Sequence, residues 1–294
     1  MSAPPELPPD VRAQYPFAPH WLETSAGRIH YVDEGPPNAD TAVICVHGNP
    51  TWSFMYREVI KALTPKFRVL ALDHLGCGLS DKPQDFSYRL ADHIGNLAKL
   101  VGNVSQPKLH FIVHDWGGAI GSAVAEQFSD RVGKLVVMNT AAFAGPCPWR
   151  IRICRVPVVG PFLVRGLNGF AGTAAFMAVS RPLPAAVKRG FLWPYRSWHD
   201  RVAVQRFVED IPLEAGHPSF PALRRLEAGL VKLQTKPMLI GWGMRDFCFT
   251  PVYLAEWRKR FPTATVHKFP DAGHYLLEDA GAEFIPQITE FLAH

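Results

Sequence analysis

The chain has 294 residues and a net charge of +5, and 48% of its residues are hydrophobic and 19% charged. This composition is typical of a globular protein and excludes a largely disordered chain, while the length permits one or two domains. No apolar stretch approaches the length needed to span a bilayer, since the longest candidate, residues 156–164, contains two prolines and a glycine.

The first twenty residues and the cysteines indicate the cellular compartment of the protein. Residues 1–20 hold six of the 27 prolines, five of them before residue 17, and lack a basic stretch followed by an apolar run, which predicts an extended arm rather than a signal peptide. The five cysteines form neither a C-x-x-C pair nor a metal-ligand spacing. Reduced, buried thiols in a cytoplasmic protein are therefore expected, without a metal site.

Short apolar, β-rich runs alternate with helical segments along most of the chain. The predicted strands are residues 42–46, 67–72, 109–113, 135–138, 238–242 and 265–269, and the predicted helices are residues 53–63, 90–101, 118–128 and 251–261. Residues 28–33 alternate more between apolar and polar side chains and are predicted to form an edge strand. The alternation predicts an α/β fold with a doubly wound, mostly parallel sheet.

One interval, residues 141–230, breaks the alternation. It has no clear strand, contains Pro- and Gly-broken segments of helical period, and is too long for a loop. We predict a helical cap inserted between two parts of the core, residues 21–140 and 231–294. The interval holds twelve Lys or Arg and five Asp or Glu, so its net charge is +7 and the net charge of the rest of the chain is −2. It has no nucleic-acid motif, so a solvated face or a surface for an acidic partner is expected instead.

Residues 113–118, Val-His-Asp-Trp-Gly-Gly, join a predicted strand to a predicted helix. A sharp strand-to-helix turn can hold one side chain at its tip, beside backbone N–H groups and the positive end of the helix. In the serine form of this turn the pattern is G-x-S-x-G; here Val113 occupies the first small position and Asp115 the nucleophile position. A carboxylate there indicates attack on a carbon that bears a leaving group, giving an ester on the enzyme. An Asp that caps an ordinary helix is the alternative.

Five motifs in chain order resemble the α/β-hydrolase fold and, within it, the haloalkane dehalogenase family. They are His-Gly-Asn-Pro at 47–50, Asp-His-Leu-Gly-Cys-Gly-Leu-Ser-Asp at 73–81, His-Asp-Trp-Gly-Gly at 114–118, Gly-Trp-Gly-Met-Arg-Asp at 241–246 and Gly-His at 273–274. The resemblance covers nearly the whole chain from Tyr15 onwards. It implies an apolar small-molecule substrate, water as co-substrate, and neither a metal nor an organic cofactor.

The catalytic residues can be assigned from chemistry and chain order. Asp115 would form the ester, and His274, on a loop after the last predicted strand, would activate the water that breaks it. Such a histidine needs a carboxylate to orient it, and Asp246 fits the α/β-hydrolase order of nucleophile, acid and histidine. A turn-forming Asp is the alternative for Asp246. Some dehalogenases carry the acid after the preceding strand, but here Asn139 and its neighbours offer no carboxylate.

In the resembling family two further residues, here Asn49 and Trp116, donate hydrogen bonds. Their backbone N–H groups would face the oxygen that becomes negative when water attacks the ester. The side-chain amide of Asn49 and the indole N–H of Trp116 would hold the leaving anion, because an indole N–H donates and never accepts. The ordinary alternatives are that Asn49 is a turn residue and that Trp116 is a core residue.

The same residue set leaves the activity open. An Asn and Trp pair with an acid after the later strand resembles a subgroup of haloalkane dehalogenases that includes, or closely resembles, the β-lactone decarboxylases of bacterial long-chain olefin synthesis. That resemblance implies haloalkane dehalogenation, or cis-olefin formation in a homo-oligomer or an assembly with olefin-pathway enzymes through the basic cap. An epoxide hydrolase is a third choice, because it needs two cap tyrosines and residues 141–230 contain only Tyr195. A catalytically silent binding module is disfavoured because every member of the proposed catalytic set is present.

Overall fold

The computed structural model describes residues 6–294, so residues 1–5 of the predicted arm lie outside the described part. The eight strands are β1 His20–Thr24, β2 Gly27–Glu34, β3 Thr41–Val46, β4 Arg68–Leu72, β5 Lys108–Asp115, β6 Val132–Thr140, β7 Met238–Gly243 and β8 Thr265–Phe269. They form one sheet in the order β1-β2-β4-β3-β5-β6-β7-β8. The β1/β2 and β2/β4 pairs are antiparallel and the other pairs are parallel, so the predicted mostly parallel sheet is confirmed.

Two sequence expectations at the start of the chain are wrong. The predicted edge strand is β2, and it lies between β1 and β4 because β1 pairs with it in antiparallel register. Only Leu22 is buried in β1, so this strand has too little hydrophobic alternation to be recognised. The predicted extended arm also contains a short helix, Pro9–Arg12, which buries Val11.

Helices cover both faces of the sheet. They are α1 Pro9–Arg12, α2 Arg57–Leu63, α3 Leu90–Gly102, α4 Trp116–Gln127, α5 Trp149–Ile153, α6 Val159–Pro161, α7 Ala171–Met177, α8 Ala185–Leu192, α9 Val202–Glu209, α10 Phe220–Gly229, α11 Pro251–Arg260, α12 Leu276–Asp279 and α13 Gly281–Ala293. Short 3₁₀ segments are Ser53–Tyr56, Trp193–Tyr195, His199–Arg201 and Leu230–Leu233, and Phe162–Gly166 is a π-helix. None of the helices in the described chain is long and apolar enough to cross a membrane.

The core is divided by the sheet. Ile44 of β3 packs into a cluster with residues of α3, α4, α10 and α11, whereas its neighbours Val43 and Cys45 pack with residues of α2 and α13. Successive side chains of a strand point to opposite faces, so the two clusters lie on opposite sides of the sheet. A central strand buried on both faces needs a largely apolar run, and β5 has one from Leu109 to Val113 that is interrupted only by the buried His110.

The interval between β6 and β7 contains helices α5 to α10 and no strand, consistent with the predicted helical insertion. A third hydrophobic cluster, with Ile151, Val164 and Tyr195 among its members, joins the first part of this interval to α9. Helix α10 differs from the others because it packs on α4, where Gly229 lies against Glu126.

Candidate active site

Asp115 is the last residue of β5 and immediately precedes α4, at a backbone turn that few residues adopt. Its φ of 53° lies in the left-handed region, which is unfavourable for a residue with a side chain and is typical of strained functional sites. The turn also needs close backbone approach, because a Cβ at Gly117 would collide with the carbonyl of Val46 and a Cβ at Gly48 with the side chain of Asp115. The hydroxyl of Thr140 donates to the carbonyl of Asp115 and holds the turn from β6.

The structure brings the three predicted catalytic residues together. Nδ1 of His274 lies 2.8 Å from Oδ2 of Asp246, and Nε2 of the same ring lies 3.6 Å from Oδ2 of Asp115. All three residues are buried. With Asp246 accepting the Nδ1 proton, Nε2 is directed towards Asp115, where it can take a proton from a water molecule that lies beside both groups.

Burial and mutual attraction set the charges of these groups. Burial opposes ionisation of Asp246, but the positive charge and hydrogen bond of His274 outweigh burial and hold the pKa of Asp246 below its ordinary value. Burial likewise opposes protonation of His274, but Asp246 prevails and the pKa of His274 is raised. The pKa of Asp115 is raised by burial, against the lowering effects of His274 and two backbone N–H groups.

Those two N–H groups belong to Asn49 and Trp116, the residues assigned to the oxyanion site from the sequence. The backbone N–H of Asn49 donates to Oδ1 of Asp115 over 2.6 Å, and the backbone N–H of Trp116 is also bonded to this carboxylate. If Asp115 carries an ester, the same donors face the ester carbonyl oxygen, where negative charge develops during hydrolysis.

The two side-chain donors differ in how they are held. The Trp116 indole is half-buried, lines the cavity above Asp115, and lies 5.4 Å from the ring of Phe207 of α9. The side-chain amide of Asn49 also borders the cavity, but it donates to the carbonyl of Val204 over 3.1 Å, and its Oδ1 has no hydrogen-bond partner in the described chain. The Asn49 amide is therefore bonded to α9, a contact that could not be predicted from the sequence.

Sequence reasoning missed residues that hold the acid. The amide of Asn139 donates to Oδ2 of Asp246 over 2.9 Å, and the backbone N–H groups of Cys248 and Phe249 donate to Oδ1. Nε2 of His114 lies 2.8 Å from the carbonyl of His274. In the sequence, the only sign of Asn139 was that an amide stands where some dehalogenases carry the acid.

A cavity of about 500 Å³ extends from the catalytic residues to the outer surface of the insertion. Asp115 and His274 line its buried end, and Trp149, which is 69% exposed, lines its outer end. Most of the wall is apolar, as expected for a site that binds a largely hydrophobic ligand. Tyr195 does not line the cavity, because its buried hydroxyl donates to the carbonyl of Thr51, so the two-tyrosine arrangement of epoxide hydrolases is not met.

Comparison with known proteins defines the class to which this chain belongs. A family model described as "alpha/beta hydrolase fold" matches residues 41–152. The crystal structure of haloalkane dehalogenase DbeA from Bradyrhizobium elkani has a TM-score of 0.85 to this structure, covers 94% of this chain and 98% of that chain, and is 23% identical in sequence. The protein is therefore an α/β hydrolase, which confirms the predicted fold class.

Curated relatives define the family more closely. A cis-3-alkyl-4-alkyloxetan-2-one decarboxylase from Shewanella oneidensis is 39% identical over 94% of this chain and 89% of its own length, and one from Xanthomonas campestris is 37% identical over 95% and 97%. Haloalkane dehalogenase 2 from Mycobacterium tuberculosis is 34% identical over 94% and 95%. The chain belongs to this family of haloalkane dehalogenases and β-lactone decarboxylases. Both activities named from the sequence are thus those of its relatives, and the protein is an enzyme with small-molecule substrates.

The donor site allows a prediction about halide binding. If Asn49 and Trp116 bind anions, bromide or iodide should change tryptophan fluorescence saturably, and Asn49→Ala should weaken that response severalfold. The same variant loses the buried hydrogen bond to Val204, so a cost in stability of about 1 kcal/mol is expected. A halide titration followed by fluorescence checks this, with Asn103→Ala at an exposed position as the control. An unchanged halide response in Asn49→Ala would remove Asn49 from the anion site.

Proposed function

We propose that this enzyme converts cis-3,4-dialkyl β-lactones to cis-alkenes and carbon dioxide, with Asp115 as the nucleophile. The observation that carries the proposal is the long apolar cavity that reaches Asp115. A lactone with two alkyl chains can use such a wall, since each buried methylene contributes about 0.8 kcal/mol, whereas a two- or three-carbon haloalkane leaves most of it unused. Similarity to the two decarboxylases at 39% and 37% identity supports the same choice.

A two-step route with Asp115 accounts for the product. An oxygen of Asp115 attacks the ring carbon C4 from the side opposite the ring oxygen, the C4–O bond breaks, and a free carboxylate remains on C3. Inversion at C4 places the new ester oxygen antiperiplanar to that carboxylate. The C3–carboxylate bond then breaks, its electrons form the C3=C4 double bond, carbon dioxide leaves, and the C4–O bond to Asp115 breaks. The two alkyl groups finish on the same side, so the alkene is cis, and no water is consumed.

The other groups of the site have definite tasks in this route. The anion released in the first step is a carboxylate, and the indole N–H of Trp116 borders the cavity where it forms. The backbone N–H groups of Asn49 and Trp116 fix the attacking carboxylate of Asp115. Asp246 holds His274 beside Asp115, where the positive imidazolium favours the ionised nucleophile.

Haloalkane dehalogenation is the second candidate, and a specific contact favours it. Nε2 of His274 lies 3.6 Å from Asp115, which is suitable for a histidine that activates water against an ester on that residue. In that route Asp115 displaces halide, water attacks the ester carbonyl, and the alcohol leaves. One oxygen of Asp115 is therefore exchanged with water in each turnover.

Isotope incorporation separates the two activities on one preparation. In water labelled with oxygen-18, we expect bromoalkane turnover to place the label in Asp115, and lactone turnover to produce alkene without labelling it. The measurements are alkene yield, bromide release and the mass of the peptide that contains Asp115. We expect a specificity constant for a long-chain lactone at least 100-fold above that for any bromoalkane, and both activities should be absent from Asp115→Ala. Bromide release without any alkene would assign the chain to dehalogenation and overturn the lactone proposal.

A further inference from the structure

Exposed apolar side chains are concentrated on one part of the insertion. Of the twelve large hydrophobic residues that are exposed in the described chain, ten lie between residues 149 and 198. Val158 is 83% exposed and Phe162 is 58% exposed. We use the term apolar cap face for Trp149, Ile153, Val156, Val158, Phe162 and Met177. Extended exposed apolar surface is uncommon in monomeric proteins and marks a site of contact.

The apolar cap face is continuous with the mouth of the substrate cavity. Trp149, Ile153 and Met177 are exposed and also line the cavity, so they form its rim. Val158 and Phe162 lie on the segment that follows Ile153, and neither of them lines the cavity. A surface that contacts the apolar cap face would therefore lie directly over the entrance to the active site.

The charged side chains in this stretch of the sequence have a single sign. Residues 141–199 contain eight Lys or Arg and no Asp or Glu. Arg150 and Arg152 are exposed, and within residues 6–294 neither of them, nor Arg155, has an acidic group within 4.0 Å. The exposed Arg150 and Arg152 are therefore available to an anionic surface, which attracts basic side chains.

We propose that the apolar cap face docks on an anionic phospholipid bilayer, with the cavity mouth directed into the lipid. A bilayer supplies an acyl layer for Val158 and Phe162 and a layer of phosphate groups for Arg150 and Arg152. Delivery of substrate from the lipid rests on the proposed function, since a dialkyl lactone dissolves in the same acyl layer that the cavity mouth would face. The docking itself requires only the exposed side chains and the unbalanced positive charge.

Vesicle binding tests the docking without any catalytic step. The full chain should co-sediment with vesicles of phosphatidylcholine mixed with phosphatidylglycerol, weakly or not at all with phosphatidylcholine alone, and less as salt is raised. Arg150→Gln with Arg152→Gln should weaken partitioning roughly 30-fold, because each basic residue contributes to attraction near the surface. Val158→Asp with Phe162→Asp should reduce it at least as much. Val231→Asp, at a position 62% exposed outside the interval, is the matched control and should bind like the parent chain.

Each outcome decides the proposal. Equal binding to both kinds of vesicle, or unchanged binding of the two double variants, would overturn it. Absence of vesicle binding together with self-association that Val158→Asp abolishes, measured by light scattering on a sizing column, would assign the face to a protein contact instead. Vesicle binding by an enzyme that produces no alkene would leave the docking standing and reject the lactone function. Alkene formation without vesicle binding would support the lactone function and reject the docking.

Discussion

His274→Phe should become alkylated by a long-chain bromoalkane and then fail to release the product. Asp115 forms the ester in the first step, whereas His274 is needed only to activate the water of the second step. Intact-protein mass spectrometry should show one added alkyl group, and steady-state bromide release should fall by several orders of magnitude. Loss of His274 also removes a positive charge that lowers the pKa of Asp115, so the assay is best made at alkaline pH, where this carboxyl is ionised.

Two control variants show whether the trapped ester is on Asp115 and whether its accumulation is specific to the loss of His274. Asp115→Ala should show no added mass, because the nucleophile is absent. His267→Phe replaces a histidine of β8 that does not line the cavity, and it should turn over bromoalkanes normally without accumulating an ester. An added alkyl mass on Asp115→Ala would show that another residue is the nucleophile and would remove the basis of both proposed routes.

The sequence was most informative where local chemistry determines the structure. A buried parallel strand needs a largely apolar run, so β3, β4, β5 and β7 could be located to within a few residues. The turn at Asp115 could also be predicted from the sequence, since Gly117 and Gly118 follow the acidic residue. Only small residues permit the close approach of this turn to neighbouring strands. Asp115, Asp246 and His274 then meet because Asp115 ends a parallel strand and the other two follow parallel strands, and the carboxyl ends of these strands lie at one edge of the sheet.

What could not be predicted depends on long-range contacts between weakly patterned segments. Strand β1 is fixed by pairing with β2 and by little burial of its own. The insertion is held by contacts such as Gln205 with the carbonyl of Cys154, which join segments about fifty residues apart that have no shared periodicity. The role of Asn139 could not be predicted either, because an amide at the end of a strand can serve many purposes. Only its hydrogen bond to Asp246 in the structure shows that it holds the catalytic acid. The tie between Asn49 and Val204 also crosses from the core to the insertion.

Asp246→Asn should keep the fold and lower turnover by a factor on the order of 10⁴, the cost of the corresponding change in serine enzymes, because His274 then loses its orienting carboxylate. It should also change the pH profile. His274 must be neutral to act as a base, and Asp246 raises its pKa, so activity is lost as the pH falls through that raised pKa. Without the carboxylate the pKa of His274 falls, and the acid limb of the kcat profile should move to lower pH.

A matched variant tests whether this effect belongs to Asp246 alone. Asp271 is another carboxylate close to His274 in the chain, but its side chain is 77% exposed and pairs with Arg245. Asp271→Asn should therefore leave kcat and its acid limb nearly unchanged. Bromide release measured between acidic and neutral pH for the parent chain and both variants provides the comparison. Near-normal turnover in Asp246→Asn, or a similar loss in Asp271→Asn, would mean that the 2.8 Å contact between His274 and Asp246 is structural rather than catalytic.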